Sequence, residues 1–325
     1  MVFVKRIVIL TTGGTIAMRA DERAGGAIPA LAGADLLAMM PRDRAEIRAE
    51  EFSNLPSAHF TLEHIWNLSR RVAALVADDA VDGIVVTHGT DVLEESAYLC
   101  DITISTRKPI VFTGAMRTAS EIGYDGFANL AAAIQVAASD DARACGVLVV
   151  FNDQIHAARA VTKTHTTALD TFQSRELGAL GRVDYAGVVI ARKPTQREFI
   201  PATRLETNVH LLKITVGDNA GLLEYLIETV GSRGVVIETL GGGRVPPWWL
   251  PPIERALTLG TAIVITSRVD AGRTIDRYGY AGAHRDLVRL GCWFANGLSG
   301  QKARLKLMAT LAMDKPANFW TDDLT

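Results

Sequence analysis

Cysteine is scarce in this chain: Cys100, Cys145 and Cys292 stand far apart in apolar surroundings, with no metal-ligand spacing. They read as reduced core thiols, which excludes a disulfide scaffold and a cysteine-held zinc site. Basic runs are also missing. Lys and Arg number 34 against 36 Asp and Glu, a net charge of −2, which argues against a nucleic-acid surface. No apolar run approaches the length of a membrane-spanning helix. The first ten residues carry Lys5 and Arg6 inside their apolar run and are followed by no small-residue cleavage site, so a first strand is expected rather than a signal peptide, and a cytoplasmic protein. Internal repeats and low-complexity tracts are absent, and no tyrosine precedes Tyr98.

What is present is apolar and rhythmically arranged. With 325 residues and 48% hydrophobic content, the chain can bury a large core and exceeds the usual size of one domain. Short apolar runs at 7–10, 83–86, 109–113, 145–151 and 187–191 read as strands. Between them, Leu62, Ile65, Leu68, Val72, Leu75 and Val76 recur at helical spacing, and 127–138 reads as a second helix. Such alternation predicts an α/β fold with a parallel sheet. Charge and proline break the rhythm at 192–198, placing a linker at 193–209 between an N-terminal domain, 1–192, and a smaller α/β domain, 210–325. In the second domain, 211–215, 221–229, 234–240, 252–259 and 262–267 repeat the alternation. A terminal helix is expected over 299–313, with Lys302, Arg304 and Lys306 interspersed among its apolar residues.

The strand at 83–87 stops at Thr87-His88-Gly89-Thr90-Asp91, where Asp91 and Glu94 read as the N-cap and capping-box partner of a helix over 92–99. The carboxyl end of a strand in an open α/β sheet borders the ligand crevice, and a helix start presents free N–H groups there. The first strand ends similarly, in Thr11-Thr12-Gly13-Gly14-Thr15, whose glycines permit a tight turn and close approach to a ligand. A dinucleotide-binding turn fails, because no G-x-G-x-x-G is present. The polar segment 18–33 suits a mobile lid or an ordinary surface loop. Ser57-Ala58-His59 forms another crevice-facing loop, in which His59 is a base, a ligand or simply solvated. Lys163, within the hydroxyl-rich run 159–167, is a candidate general base or a solvated charge. Thr15, Thr90, Asp91 and Lys163 together supply the groups needed for an acyl transfer by a threonine nucleophile.

At these residues the sequence resembles the bacterial-type L-asparaginase and glutaminase family over nearly its whole length. Thr11-Thr12-Gly13-Gly14-Thr15-Ile16-Ala17 resembles the family's first signature and Val86-Thr87-His88-Gly89-Thr90-Asp91-Val92-Leu93-Glu94-Glu95 the second. Gly114-Ala115-Met116-Arg117, Asp125-Gly126, Asn152-Asp153, Val161-Thr162-Lys163-Thr164 and Gln301-Lys302-Ala303-Arg304 also match family patterns. The resemblance implies a two-domain fold, with a larger N-terminal parallel-sheet domain, a left-handed crossover and a smaller C-terminal α/β domain. It implies a cytoplasmic homodimer or homotetramer whose sites are each completed by a neighbouring C-terminal domain. It also implies hydrolysis of a small carboxamide such as asparagine with release of ammonia, and no metal or organic cofactor. By position, Thr15 is the lid-side nucleophile; Thr90, Asp91 and Lys163 are the second threonine, its acidic neighbour and the base. Ser57, Ala58, Gly89, Thr90 and Asp91 fall at substrate-binding positions, with Ser57 on the substrate α-carboxylate.

Three positions depart from the family pattern. The lid tyrosine that precedes Ile-Pro is here Ala27, before Ile28-Pro29; the Gln or Asp that follows the binding serine is Ala58; and a Gly-Asn-Gly-Asn-like turn is Gly241-Gly242-Gly243-Arg244. A catalytically weak binding or sensor protein on the same fold is therefore the alternative to an amidohydrolase.

Overall fold

The computed structural model describes residues 4–30, 35, 45–194, 197–295 and 297–320. Gly33, at the end of the expected lid, and Thr195-Gln196 of the expected linker lie outside them. The chain divides into two compact units, Met1–Phe199 and Ile200–Thr325.

In the first unit, β1 (Lys5–Thr11), β4 (Ala45–Glu51), β5 (Gly83–Thr87), β6 (Ile110–Thr113) and β7 (Val147–Phe151) build the parallel region of an eight-stranded sheet. Its order is β4-β1-β5-β6-β7, continued antiparallel by β8 (Gln154–Ala157), β11 (Gly181–Asp184) and β12 (Gly187–Ile190). The central strands are apolar throughout because both faces are covered. Alternate side chains point to opposite faces: Ile7, Ile9, Val85, Val111, Leu148 and Val150 join one core cluster. Val8, Leu10, Ile84, Val86, Phe112 and Val149 join the other. Helix α3 (Gly126–Ala138) covers the first face; α1 (Leu62–Ala77) and α2 (Leu93–Thr103) cover the second. Thr61 caps α1 reciprocally with His64, whose side chain accepts from the Thr61 N–H.

The polar segment after β1 is a hairpin, β2 (Met18–Asp21) paired antiparallel with β3 (Gly26–Pro29). A second small ladder pairs β9 (Thr162–Lys163) with β10 (Phe172–Gln173). Neither shows in the sequence, since two to four residues without alternation give no period to read.

The second unit carries an all-parallel sheet, β13 (Val209–Lys213), β14 (Gly234–Thr239), β15 (Ala262–Ser267) and β16 (Trp293–Phe294). Helices α4 (Gly221–Glu228), α5 (Leu250–Thr258), α6 (His284–Leu290) and α7 (Gly300–Thr310) accompany it. Helix α7 is enclosed more completely than its charges suggest: Lys302 and Lys306 are buried, and the Lys306 ammonium lies 4.5 Å from the ring centroid of Trp320. Long aliphatic stems and an aromatic face let lysines occupy core positions. The cysteines are free and buried; burial pushes the thiols of Cys100 and Cys292 up to about 12, so they stay protonated and inert.

Candidate active site

Three turns meet at the carboxyl ends of adjacent strands β4, β1 and β5. Thr12 joins β1 to β5 twice, through its N–H and its hydroxyl, both donating to the Thr87 carbonyl at 3.1 and 3.0 Å. The next two residues are in the left-handed region, Gly13 at φ 94° and Gly14 at φ 82°. Space demands glycine as strictly as conformation does. A Cβ on Gly13 would fall 2.6 Å from Leu55 N, and one on Gly14 2.5 Å from Gly89 N. One on Gly89 would fall 2.6 Å from Ser57 Oγ. Backbone therefore lies against backbone, with Gly14 N donating to Leu55 O and Leu55 N to Thr12 O, both at 3.2 Å. This stacking brings Thr15, at the start of a single 3₁₀ turn (Thr15–Ala17), beside the turns that carry Ser57 and Thr90.

The second signature departs from its expected local structure. Helix α2 begins at Leu93 after Val92, with no side-chain cap, so Asp91 is not its N-cap and Glu94 closes no capping box. Both carboxylates are engaged by Lys163 instead. Its ammonium donates to Thr90 Oγ1 at 2.9 Å and Asp91 Oδ1 at 2.8 Å, while its backbone N–H donates to Glu94 Oε2 at 3.0 Å. Thr90 is buried at 6% exposure and the Lys163 side chain is 19% exposed, whereas the Asp91 side chain is 61% exposed. The arrangement thus runs from a buried hydroxyl through a half-buried amine to a carboxylate open to solvent. The hydroxyl-rich run after Lys163 closes its own loop: Thr164 Oγ1 donates to Thr171 O at 2.8 Å, and His165 Nδ1 accepts from the N–H groups of Thr167 and Ala168. That loop and the β9–β10 ladder hold Lys163 in place.

Ser57 is buried, and its hydroxyl accepts the Asp91 N–H at 3.2 Å, so the candidate carboxylate-binding serine also ties its turn to the Thr90 turn. Ala58 and His59 are exposed, and His59 does not join this network. His88, by contrast, is buried behind Gly89. Its Nδ1 donates to Gly89 O at 2.8 Å and its Nε2 accepts from the Ser96 hydroxyl at 3.0 Å. Those partners fix the neutral tautomer, and burial lowers its pKa to about 4. Among the described residues, no group of three or more His, Cys, Asp and Glu side chains could hold a metal ion.

In the second unit, Arg244 is held by its own surroundings. Its Nε lies 3.7 Å from Asp276 Oδ2, and its guanidinium lies 5.0 Å from the ring centroid of Tyr278. The side chain folds back over the glycine turn, so that a Cβ on Gly241 would meet its terminal nitrogen, while one on Gly242 would fall 2.7 Å from the Ile275 carbonyl oxygen. Gly243, at φ 94°, completes the run that stands in place of the family's Gly-Asn-Gly-Asn-like turn.

Sequence reasoning singled out the two threonines, Asp91 and Lys163 but misread Glu94 and passed over His88. Glu94 imitates a capping residue by its spacing, and His88 has no sequence signal beyond its place in the signature.

Comparison with known families and proteins agrees over both units. The family model described as Asparaginase, N-terminal, matches residues 6–196, and that described as Glutaminase/Asparaginase C-terminal domain matches 208–318. The chain is 36% identical over 313 residues to an L-asparaginase of Bacillus licheniformis, covering 96% of this chain and 97% of the relative. It is 33% identical over 319 residues to a glutaminase-asparaginase of Pseudomonas aeruginosa, covering 95% of this chain and 86% of the relative. A solved structure of a probable cytoplasmic L-asparaginase from Campylobacter jejuni superposes with a TM-score of 0.86 at 32% identity, covering 97% of this chain and 98% of that one.

Proposed function

The chain belongs to the asparaginase family and is an amidohydrolase, and from that starting point we propose that Thr15 is its nucleophile and that Thr90 and Lys163 form the hydroxyl–base pair that moves the proton. The observation that carries the proposal is the position of one nitrogen, Lys163 Nζ, at 2.9 Å from Thr90 Oγ1 and 2.8 Å from Asp91 Oδ1, where as a neutral amine it can take the hydroxyl proton and as an ammonium return it. A surface lysine has no use for a buried hydroxyl, and a binding protein has no use for a base.

Thr15 Oγ attacks the amide carbon; the Oγ–C bond forms as the C–N bond breaks, and the hydroxyl proton leaves with nitrogen as ammonia. Water then splits the ester, giving the acid and restoring Thr15. Backbone N–H groups at the apposed glycine turns are suited to stabilise the oxyanion. Ser57 and Gly89 line the substrate position, with Ser57 on the α-carboxylate. Ala58 offers no acceptor to an α-ammonium, so Asp91, open to solvent and paired with Lys163, is the acceptor nearest to it in the sequence pattern. No metal or organic cofactor enters this scheme.

We further propose a cytoplasmic protein, supported by the likeness to a probable cytoplasmic L-asparaginase, and a homodimer or homotetramer, as the family resemblance implies. Light scattering on the purified protein decides the oligomeric state. The reaction is tested by ammonia release over asparagine, glutamine and their deaminated and N-substituted relatives. Turnover of at least one of these is expected, and release from none would leave only a binding protein.

A further inference from the structure

The turn that carries Thr15 has each of its carbonyls from Gly14 to Met18 engaged. Gly14 O accepts the Ala17 N–H at 3.0 Å and Thr15 O accepts the Met18 N–H. Ala17 O accepts Ala30 N–H at 2.8 Å and Met18 O accepts Ala119 N–H at 3.0 Å. Between them, the Ile16 carbonyl has a different kind of partner: the phenol of Tyr124, which donates to it at 2.6 Å across 108 residues of sequence. Ile16 is itself buried, so that carbonyl has no ready replacement in solvent.

The platform behind Tyr124 is stiff. Its ring stands edge-on to Phe127, with centroids 4.9 Å apart, and folds over Gly126, where any Cβ would fall on the phenol. The neighbouring Asp125 carboxylate accepts the N–H groups of Met116 and Arg117 at 3.0–3.1 Å and the Asn129 amide at 2.9 Å, bracing the loop after β6 against α3. The same loop supports the hairpin, as Ala20 N–H donates to Ser120 Oγ at 3.0 Å. Ala27 gives the hairpin itself no hydroxyl to place near Thr15, so the turn is oriented from the β6 loop.

We propose that Tyr124 is a positioning residue for Thr15: its hydroxyl, braced by the β6–α3 loop, fixes the Ile16 carbonyl and with it the turn from which the nucleophile projects. The inference rests on the proposed role of Thr15. Burial raises the Tyr124 pKa, so the phenol stays a donor through the working pH range.

Tyr124→Phe removes one oxygen and keeps the ring against Phe127. Amide hydrogen exchange on the intact protein reads the turn without reference to activity. Faster exchange is expected at Ala17 and Met18, whose N–H groups close the turn, with helix α3 unchanged. Because misplacing a reacting atom lowers rate more than affinity, kcat for asparagine should fall about tenfold or more, with KM and the Kd for aspartate within about twofold. Unchanged exchange at the turn, or an unchanged kcat, overturns the inference. So does a parallel drift of kcat, KM, Kd and Tm, which marks a merely structural contact. If Tyr124→Phe is without effect while Thr15→Ala is inactive, only this inference fails. If Thr15→Ala keeps full turnover, the proposed reaction fails and this role with it.

Discussion

Lys163 makes three contacts, and each settles a different question about the residues around it. The ammonium on Thr90 selects the hydroxyl, the ammonium on Asp91 keeps that carboxylate from the helix start, and the backbone N–H on Glu94 fixes where the lysine stands. Thr90→Val keeps the volume and deletes the hydroxyl; Thr15→Ala deletes the proposed nucleophile. Each is expected to lower kcat by about a hundredfold to ten-thousandfold, the range of a lost proton-transfer partner, without loss of fold. Circular dichroism with steady-state ammonia release checks both, and full turnover by either variant removes that residue from the mechanism. At this scale a residue's chemistry and its motif together pointed to Thr90 and Lys163, which the structure brings within one hydrogen bond of each other. The sequence misled where a carboxylate three residues after another imitates a cap, since Asp91 and Glu94 have that spacing yet face Lys163. Arg244, which ends the turn that departs from the family pattern, lies 3.7 Å from Asp276 Oδ2 with its guanidinium over the Tyr278 ring.

The strands and long helices were legible because buried parallel strands are continuous apolar runs and α1 has a clean helical stripe. The hairpin β2–β3, the β9–β10 ladder and strands β8 and β11 of the antiparallel extension were not, because short strands with mixed burial carry no period, whereas β12 falls within the run at 187–191. The glycine turns belong to this scale too. Gly89 lies against Ser57, with a Cβ there only 2.6 Å from Ser57 Oγ and 2.7 Å from Ser57 Cβ. Gly89→Ala must therefore push the two backbone turns apart, at about 1–3 kcal/mol for such overpacking. A lower denaturation midpoint and loss of aspartate binding in calorimetry are expected; wild-type affinity would mean that the turns yield freely. The hairpin makes its own prediction. With Ala27 in place of a lid tyrosine, asparagine turnover should lie about a hundredfold below that of a tyrosine-bearing relative, the loss expected for one proton-transfer partner. Equal turnover under the same conditions would contradict this.

Across the whole molecule, two buried histidines link the first unit to pH. Burial lowers both His88 and His156 from 6.5 to about 4. The unfolded chain therefore binds protons that the folded unit refuses, and stability is complete above pH 6.5 and declines as pH falls toward 4. Each histidine should contribute a slope of about 1.4 kcal/mol per pH unit in that window. Urea unfolding at several pH values checks it: His88→Gln should remove about half of the slope due to the pair, and an unchanged slope would show that His88 does not titrate on unfolding. The two-domain fold was legible from length and the strand–helix rhythm, whereas the surroundings that suppress these histidines arise only when distant strands and helices pack together.

The Thr90–Lys163 pair is proposed as catalytic machinery and not a structural contact. Lys163→Met tests it most directly, since it keeps the aliphatic length beside Thr90 and removes the base. The measurement is kcat/KM for ammonia release from asparagine, with Tm matched to wild type. The expected result is a loss of about a hundredfold or more at unchanged Tm; activity within about twofold of wild type would mark the pair as a structural contact only.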